Sequence, residues 1–293
     1  MGGFKRGFCS GLFSLVGLLG SLTAFAEAPV WALRGAHNTV YLAGSVHLLK
    51  ASSAKLPGAF DKAYADSTAL VMEVDLDDLD PLEAQGWMVE HGMYAGDGSL
   101  TQAIGKAKFE KVEKESNRLG IPVEAVDRFE PWMAAMTLVQ LQLVMLGFDP
   151  AQGVEMQLQR RAVADKKNIT GLETLPEQLG LLDSLSSSDQ IRFLDVTIEE
   201  MHEMESSTDD LIAAWRAGNS TKLASLLSEE YSIAPNLYNT LVSDRNRKWM
   251  PQIEKLLKED KNYLVVVGAL HLVGKGGLLE LAKARGYDAR QLQ

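Results

Sequence analysis

The chain has a single thiol, Cys9, and it lies in the apolar amino-terminal stretch rather than in the body of the protein. Once that stretch is removed there is no disulfide and no cysteine nucleophile, and any metal must be held by nitrogen and oxygen ligands. The Leu and small residues that precede a lipid-modified cysteine are missing before Cys9, so a lipoprotein is not expected. Positive charge is also scarce. Lys and Arg number 29 against 39 Asp and Glu, a net charge of −10 that becomes −12 when Lys5 and Arg6 leave with the leader. That balance disfavours nucleic acid as a partner and mainly argues for solubility. Beyond residue 26 no apolar run approaches membrane-spanning length. The sequence contains no Gly-x-Ser-x-Gly elbow, no Walker loop, no dinucleotide fingerprint and no His-Glu-x-x-His.

Residues 1–26 have the order of a secretory signal: Lys5 and Arg6, an apolar stretch from Gly7 to about Leu22, then Ala24-Phe25-Ala26 in the small-x-small form of a cleavage site. The expectation is an exported protein, periplasmic or extracellular, with a mature chain from about Glu27 and no stable membrane span after cleavage. A retained anchor is the alternative reading.

The body of the chain carries one pattern twice. Thr39-Val-Tyr-Leu-Ala-Gly44-Ser-Val-His47-Leu48 stands near its start, and Tyr263-Leu-Val-Val-Val-Gly268-Ala-Leu-His271-Leu272 near its end. Each is an apolar, β-branched run that predicts a buried strand, followed by Gly-x-x-His-Leu. A histidine so placed falls on the loop beyond a strand's carboxyl end, the edge of an open α/β sheet where ligands bind. The two loops are expected to converge on one site.

Between them, Val30–Arg34 and the first run predict a hairpin through Gly35-Ala-His-Asn38. A helix from Pro57 and a strand Ala69–Val74 follow, with Glu73 near the strand's carboxyl end. From about residue 81 to 258 the periodicity is helical, and Pro131–Leu146 is apolar enough to predict a helix buried on most sides. A short strand at Ile169-Thr170 leads into Gly171-Leu172-Glu173-Thr174, and Tyr287–Gln291 predicts an edge strand. The fold class is α/β (α+β): a mixed central sheet built from both ends of the chain, with a large helical insertion. No linker divides residues 27–293, so they are expected to form a single domain with the helices as a cap.

Of the five histidines, His47 and His271 occupy matching places; His37, His91 and His202 read as surface residues. Glu73 is an acid in an otherwise apolar strand, costly to bury unless paired. Two neutral imidazoles and a carboxylate make an open divalent-metal site, or a general base oriented by an acid. Glu173 reads either as a further ligand or as an acid favouring the next helix's dipole, and Glu155 carries the same ambiguity. Arg245 is expected to open a helix, where the dipole disfavours positive charge; gripping an anion or a site carboxylate would account for it, as would a surface salt bridge.

An ordered set of motifs, Gly44-Ser-Val-His47, Val71-Met-Glu73, Gly153-Val-Glu155, Gly171-Leu-Glu-Thr174, Asp244-Arg-Asn246 and Gly268-Ala-Leu-His271, resembles the TraB/PrgY/GumN family over nearly the whole mature chain. That family is related to the TIKI metalloproteases and, more distantly, to erythromycin esterase and ChaN-like proteins. Its members often have Asp where this chain has Glu155. The resemblance implies metal-dependent hydrolysis, of a peptide or small-molecule substrate, with His47, Glu73 and His271 holding a divalent ion such as Mn²⁺ or Co²⁺. Arg245 and Glu173 are the expected substrate-binding residues. The rival expectation is a non-catalytic protein that sequesters a peptide signal or a metal-containing ligand in the same cleft.

Overall fold

A computed structural model describes residues 28–293 except positions 76, 78, 79 and 234, so the expected signal at 1–26 lies outside the described residues. The first strands are β1 (Val30–Arg34), β2 (Thr39–Ser45), the two-residue β3 (Leu49–Lys50) and, after helix α1 (Gly58–Asp66), β4 (Ala69–Val74). α1 exists because Phe60, Ala63 and Tyr64 recur on one face, which is buried.

Helices then dominate. The run comprises α2 (Pro81–Gly92), α3 (Leu100–Ile104), α4 (Lys106–Leu119), α5 (Val123–Val126) and α6 (Pro131–Met145). Asp80 caps α2 by accepting from the Leu82 N–H with Pro81 in the first turn, and Gly120, in the left-handed region, ends α4. Among the described residues β5 (Phe148–Asp149) pairs only with β3. Next come α7 (Val154–Ala164), β6 (Asn168–Glu173), α8 (Leu175–Asp183), α9 (Ser187–Glu200), α10 (Met204–Arg216), α11 (Ser220–Ile233), α12 (Pro235–Tyr238) and α13 (Asp244–Leu256). The chain closes with β7 (Tyr263–Gly268), the one-turn α14 (Ala269–Leu272), α15 (Leu278–Ala284) and β8 (Ala289–Gln291).

Six strands form one sheet in the order β6-β4-β7-β2-β1-β8. β6, β4, β7 and β2 are mutually parallel, and β1 and β8 add an antiparallel margin. The mixed sheet built from both ends is therefore present, with helices between. β7, wholly buried, lies between β2 and β4, pairing Ala43 with Val266 on one side and Met72 with Val266 on the other. A strand covered on both faces needs no polar alternation, which is why its sequence is a continuous apolar run. The carboxyl ends of four parallel strands consequently share one edge. A second buried cluster, including Leu100, Val112, Leu138 and Leu194, lies wholly among the helices.

Two helix expectations are corrected. α6 is not buried on most sides: Trp132, Ala135 and Leu138 face inward, whereas Met136, Val144 and Met145 are exposed. Uniform hydrophobicity hid which face packs. Arg245 does not open a helix either. A π-helical segment, Asn239–Ser243, runs directly into α13, so carbonyls of the preceding turn satisfy its first N–H groups and the dipole argument fails. Among the described residues no helix is long and apolar enough to cross a membrane.

Candidate functional site

Gly268, the last residue of β7, marks the centre of the site. A Cβ built there would lie 3.3 Å from Glu73 Oε1, 3.6 Å from His271 Cδ2 and 3.9 Å from His47 Nε2. The two Gly-x-x-His loops and the β4 carboxylate thus meet at the shared carboxyl edge. Gly44, the other motif glycine, has a different reason: its Cβ would press to 3.1 Å on the Ala269 Cα, so the two loops pack backbone to backbone.

The two histidines are not equivalent. His271, on α14 rather than an open loop, is buried with its ring tilted against Trp249 at 4.5 Å. Its Nδ1 pairs with Asn246 Oδ1 at 2.7 Å, and its Nε2 with Arg245 Nη1 at 3.1 Å. A guanidinium only donates, so Nε2 accepts and the proton sits on Nδ1. Burial drives the His271 pKa down to about 4, with Glu73 opposing, and the ring is neutral. The Asn246 amide also donates to the carbonyls of His271 and Gly276, fixing the whole loop.

His47 stands at the open side, two-thirds of its side chain exposed, with Nδ1 2.8 Å from Glu155 Oε1. The Glu155 charge, against desolvation, raises His47 to about 9; solvent on the open face screens part of that pull. Ser45 donates to the same Glu155 oxygen. Burial pushes the Glu155 carboxyl up, and the His47 charge and the two hydrogen bonds outweigh it, so it lies below its ordinary value. Gly153 makes the pair possible: a Cβ there would meet the His47 carbonyl oxygen at 2.1 Å, and the Val154 N–H donates to the Val46 carbonyl at 3.1 Å. Glu155, left ambiguous by sequence, is thereby a site residue, and the Gly immediately ahead of Val154 was its signal.

Glu73 is buried, not a solvated strand end. Oε1 accepts the Gly268 N–H at 2.7 Å; Oε2 accepts from Gln178 Nε2 at 3.0 Å and from Arg245 Nη2. Burial opposes ionisation, yet His271, Arg245, His47 and the Gly268 N–H hold its pKa at about 2. Glu173 closes the strand β6 instead of starting a helix; Thr174 is the N-cap of α8, in a capping box with Glu177. Burial raises the Glu173 carboxyl even though Arg245 binds both its oxygens, at 2.6 and 3.2 Å.

Arg245 therefore has five N–H bonds and five acceptors: Glu73, Glu173 twice, the Leu241 carbonyl and His271 Nε2. Arg245 and Glu173, expected to bind substrate, are here engaged with each other and with neighbouring side chains. No guanidinium donor is left over, and Glu173 is half of an internal ion pair that also accepts from Trp249 Nε1. Arg245 positions two carboxylates and a histidine. Asn246 stood in the Asp244-Arg-Asn246 motif with no role read for it, and Gln178 and Trp249, which also hold these groups, were not singled out as site residues. The other histidines lie elsewhere: His37 and His202 are exposed, and His91 stacks on Trp87 and pairs with Asp183.

A divalent ion would need several nitrogen or oxygen donors facing one space. Among the described residues no three His, Cys, Asp or Glu side chains stand grouped as a ready-made metal centre. The donor chemistry nonetheless fits. Each of His47 and His271 is anchored through Nδ1 to an oxygen acceptor, the arrangement that orients Nε2 toward a metal, and Glu73 Oε1 borders the same space. His271 Nε2 and Glu73 Oε1 are 3.8 Å apart. Two protons stand in the way, the Arg245 N–H on His271 Nε2 and the Nε2 proton of His47 with its raised pKa, and a metal would displace both.

A parallel-edged α/β sheet with two Gly-x-x-His histidines and a buried glutamate at its carboxyl edge defines the class. The chain belongs to the TraB/PrgY/gumN family, whose model matches residues 29–291. It is similar to the Escherichia coli (strain K12) "Uncharacterized protein YbaP", 25% identical over 268 residues that cover 87% of this chain and 97% of that one. A Treponema pallidum (strain Nichols) "Uncharacterized protein" is 22% identical over 286 residues, 92% of this chain and 84% of its own. A "Metalloprotease TIKI homolog" from Amphimedon queenslandica is 27% identical over 164 residues, 47% of this chain and 32% of that one. No solved structure matches the chain.

Proposed function

We propose that this protein is an exported hydrolase that uses a divalent metal, Mn²⁺ or Co²⁺, to cleave a carbonyl-centred bond, with a peptide as the favoured substrate. The observation that carries the reading is the convergence of His47 Nε2, Glu73 Oε1 and the His271 ring on the space beside Gly268. His47, Glu73 and His271 would hold the metal, which when bound supplies Lewis acidity for a carbonyl and a water.

The chain's own groups complete the chemistry. Glu155 keeps the His47 ring oriented through Nδ1, and Asn246 does the same for the neutral His271, so both rings turn Nε2 toward the same space; His47, raised to about 9, would give up its Nε2 proton to bind a metal. Arg245 bridges the neighbouring carboxyls of Glu73 and Glu173, whose charges would repel without a cation between them. The Gly268 N–H fixes Glu73 Oε1 at the open side. The TIKI-named relative supports hydrolysis as the reaction class.

Purified protein is incubated with a mixed peptide library in Mn²⁺, in Co²⁺ and in chelator, and products are read by mass spectrometry. Cleavage with metal, lost in chelator and in the His47→Ala and His271→Ala double variant, is expected. Turnover persisting in chelator means a metal-free esterase or amidase. Tight metal or peptide binding with no cleavage of any member means a sequestering protein and overturns the hydrolase reading.

A further inference from the structure

Beside the site lies a groove of about 820 Å³, within the size range of ligand pockets. One wall is the consecutive stretch Thr170 to Leu175, the carboxyl half of β6 and its exit; the facing wall is the first turns of α2, ending at Trp87. Val74 and Glu173 in its lining adjoin the candidate site, the first following Glu73 in β4 and the second ion-paired with Arg245.

Three independent features bear on its occupant. Among the described residues β6 is an edge strand, hydrogen-bonded to β4 on one side only, and an open strand edge pairs with extended peptide backbone. The groove offers apolar surface from Leu172, Leu175, Leu179 and the Trp87 indole. Its charge is of one sign: Asp75, Asp80, Glu83 and Glu177 line it, and among the described residues no Lys, Arg or His does. Glu173 adds no free charge, being engaged by Arg245.

We propose that this groove is a docking track for an extended peptide that carries basic and apolar side chains. The peptide backbone lies along the free edge of β6, its basic residues face Asp75, Asp80 and Glu83, and an apolar residue packs on Trp87. The assignment deepens the hydrolase reading, on which it rests for the peptide's fate, by naming the substrate class.

Binding is measured on the full mature chain by fluorescence anisotropy, apart from any turnover. The probes are a short dye-labelled peptide of alternating Lys and Val and its Glu/Val counterpart. The Lys/Val peptide should bind at least about tenfold more tightly, with the preference shrinking as salt rises. Combining Asp75→Asn, Asp80→Asn and Glu83→Gln, which keeps the amide-competent cap at the start of α2, should bring the two peptides to near parity. Neutralising the exposed Glu110, Glu113 and Asp288 elsewhere should leave the preference in place. N-methylation of alternate backbone amides in the Lys/Val peptide should abolish binding. Equal affinities in the native protein, a preference that survives the groove variant, or equal loss in the distant control overturns the proposal. Peptide cleavage with no charge preference removes the groove and leaves the hydrolase; charge-selective binding without cleavage does the reverse.

Discussion

Single residues decide whether the centre exists. Gly268 adopts backbone angles open to any residue, φ −48° and ψ 136°, so its lack of a side chain is a matter of space and not of strain. Gly268→Ala should therefore leave a cooperative fold, at a cost within the ~1–3 kcal/mol of overpacking. The methyl group would occupy the gap between Glu73, His271 and His47, and turnover should fall by about a hundredfold or more. Unchanged turnover in a folded Gly268→Ala protein would remove this space from the mechanism. Arg245→Ala acts differently, since it strands two buried carboxylates; about 3–5 kcal/mol of unfolding free energy should be lost in denaturant titration. Arg245→Lys should recover little, because an ammonium cannot reproduce the five-donor fork. The titrating groups set opposed limbs in the metal-free protein. His47, raised to about 9 from 6.5, contributes stability that is complete below pH 6.5 and lost as pH rises toward 9. His271, lowered to about 4, lets the unfolded chain bind more protons between about 4 and 6.5, so stability falls as pH drops through that window. Glu73, lowered from 4.5 to about 2, adds a loss below 4.5. Urea unfolding in chelator should show a maximum near pH 6.5. His47→Gln should flatten the alkaline limb and His271→Gln the acid one; an alkaline limb untouched by His47→Gln would contradict the Glu155 pairing.

At the scale of elements, α6 separates what hydrophobicity announces from what packing uses. Leu138 is fully buried in the helical cluster, and Leu138→Ala should cost about 2–5 kcal/mol. Val144→Lys and Met145→Lys, on the exposed face, should stay within about 0.5 kcal/mol of the native value in the same titration. Comparable losses at both places would restore the all-round burial that the sequence suggested. The contrast also explains how much of the site was legible. His47, Glu73 and His271 could be read because each sits at the end of a strand whose apolar run is itself unmistakable, and parallel topology brings such ends together. Glu155, Asn246 and Gln178 could not be placed, since each reaches the centre from a helix, across long sequence separations that no local spacing encodes. Arg245 was noticed for a wrong reason. Its position follows the π-helical Asn239–Ser243 segment, whose wider turn re-aims the residues after it, and a period of 3.6 cannot reveal such a turn.

For the whole molecule, the decisive fact is that the strand completing the sheet is among the last to be made. β7 separates β2 from β4, so until it arrives neither strand has its interior partner, and neither His271 nor the Gly268 N–H exists to meet Glu73. β8, by contrast, only borders β1, although backbone bonds between Ala28 and Leu292 and between Leu292 and Val30 tie the described ends together. Two truncations distinguish a central strand from a marginal one. Ending the chain after Lys261 should leave no cooperative thermal transition by circular dichroism, because a gap in the middle of a parallel sheet exposes both neighbours' backbone groups and the buried faces of Leu42, Val71 and Met72. Ending it after Asp288 should keep a cooperative transition at a lower midpoint, with new aggregation through the bared edge of β1, where Trp31 and Leu33 are buried beside β8. The shorter deletion should also spare turnover at temperatures where the fold persists, since every group around Gly268 comes from strands and helices it leaves intact. A cooperative fold in the chain ending at Lys261 would mean that the first half of the sheet closes without β7, and the site's dependence on both ends of the chain would fall with it.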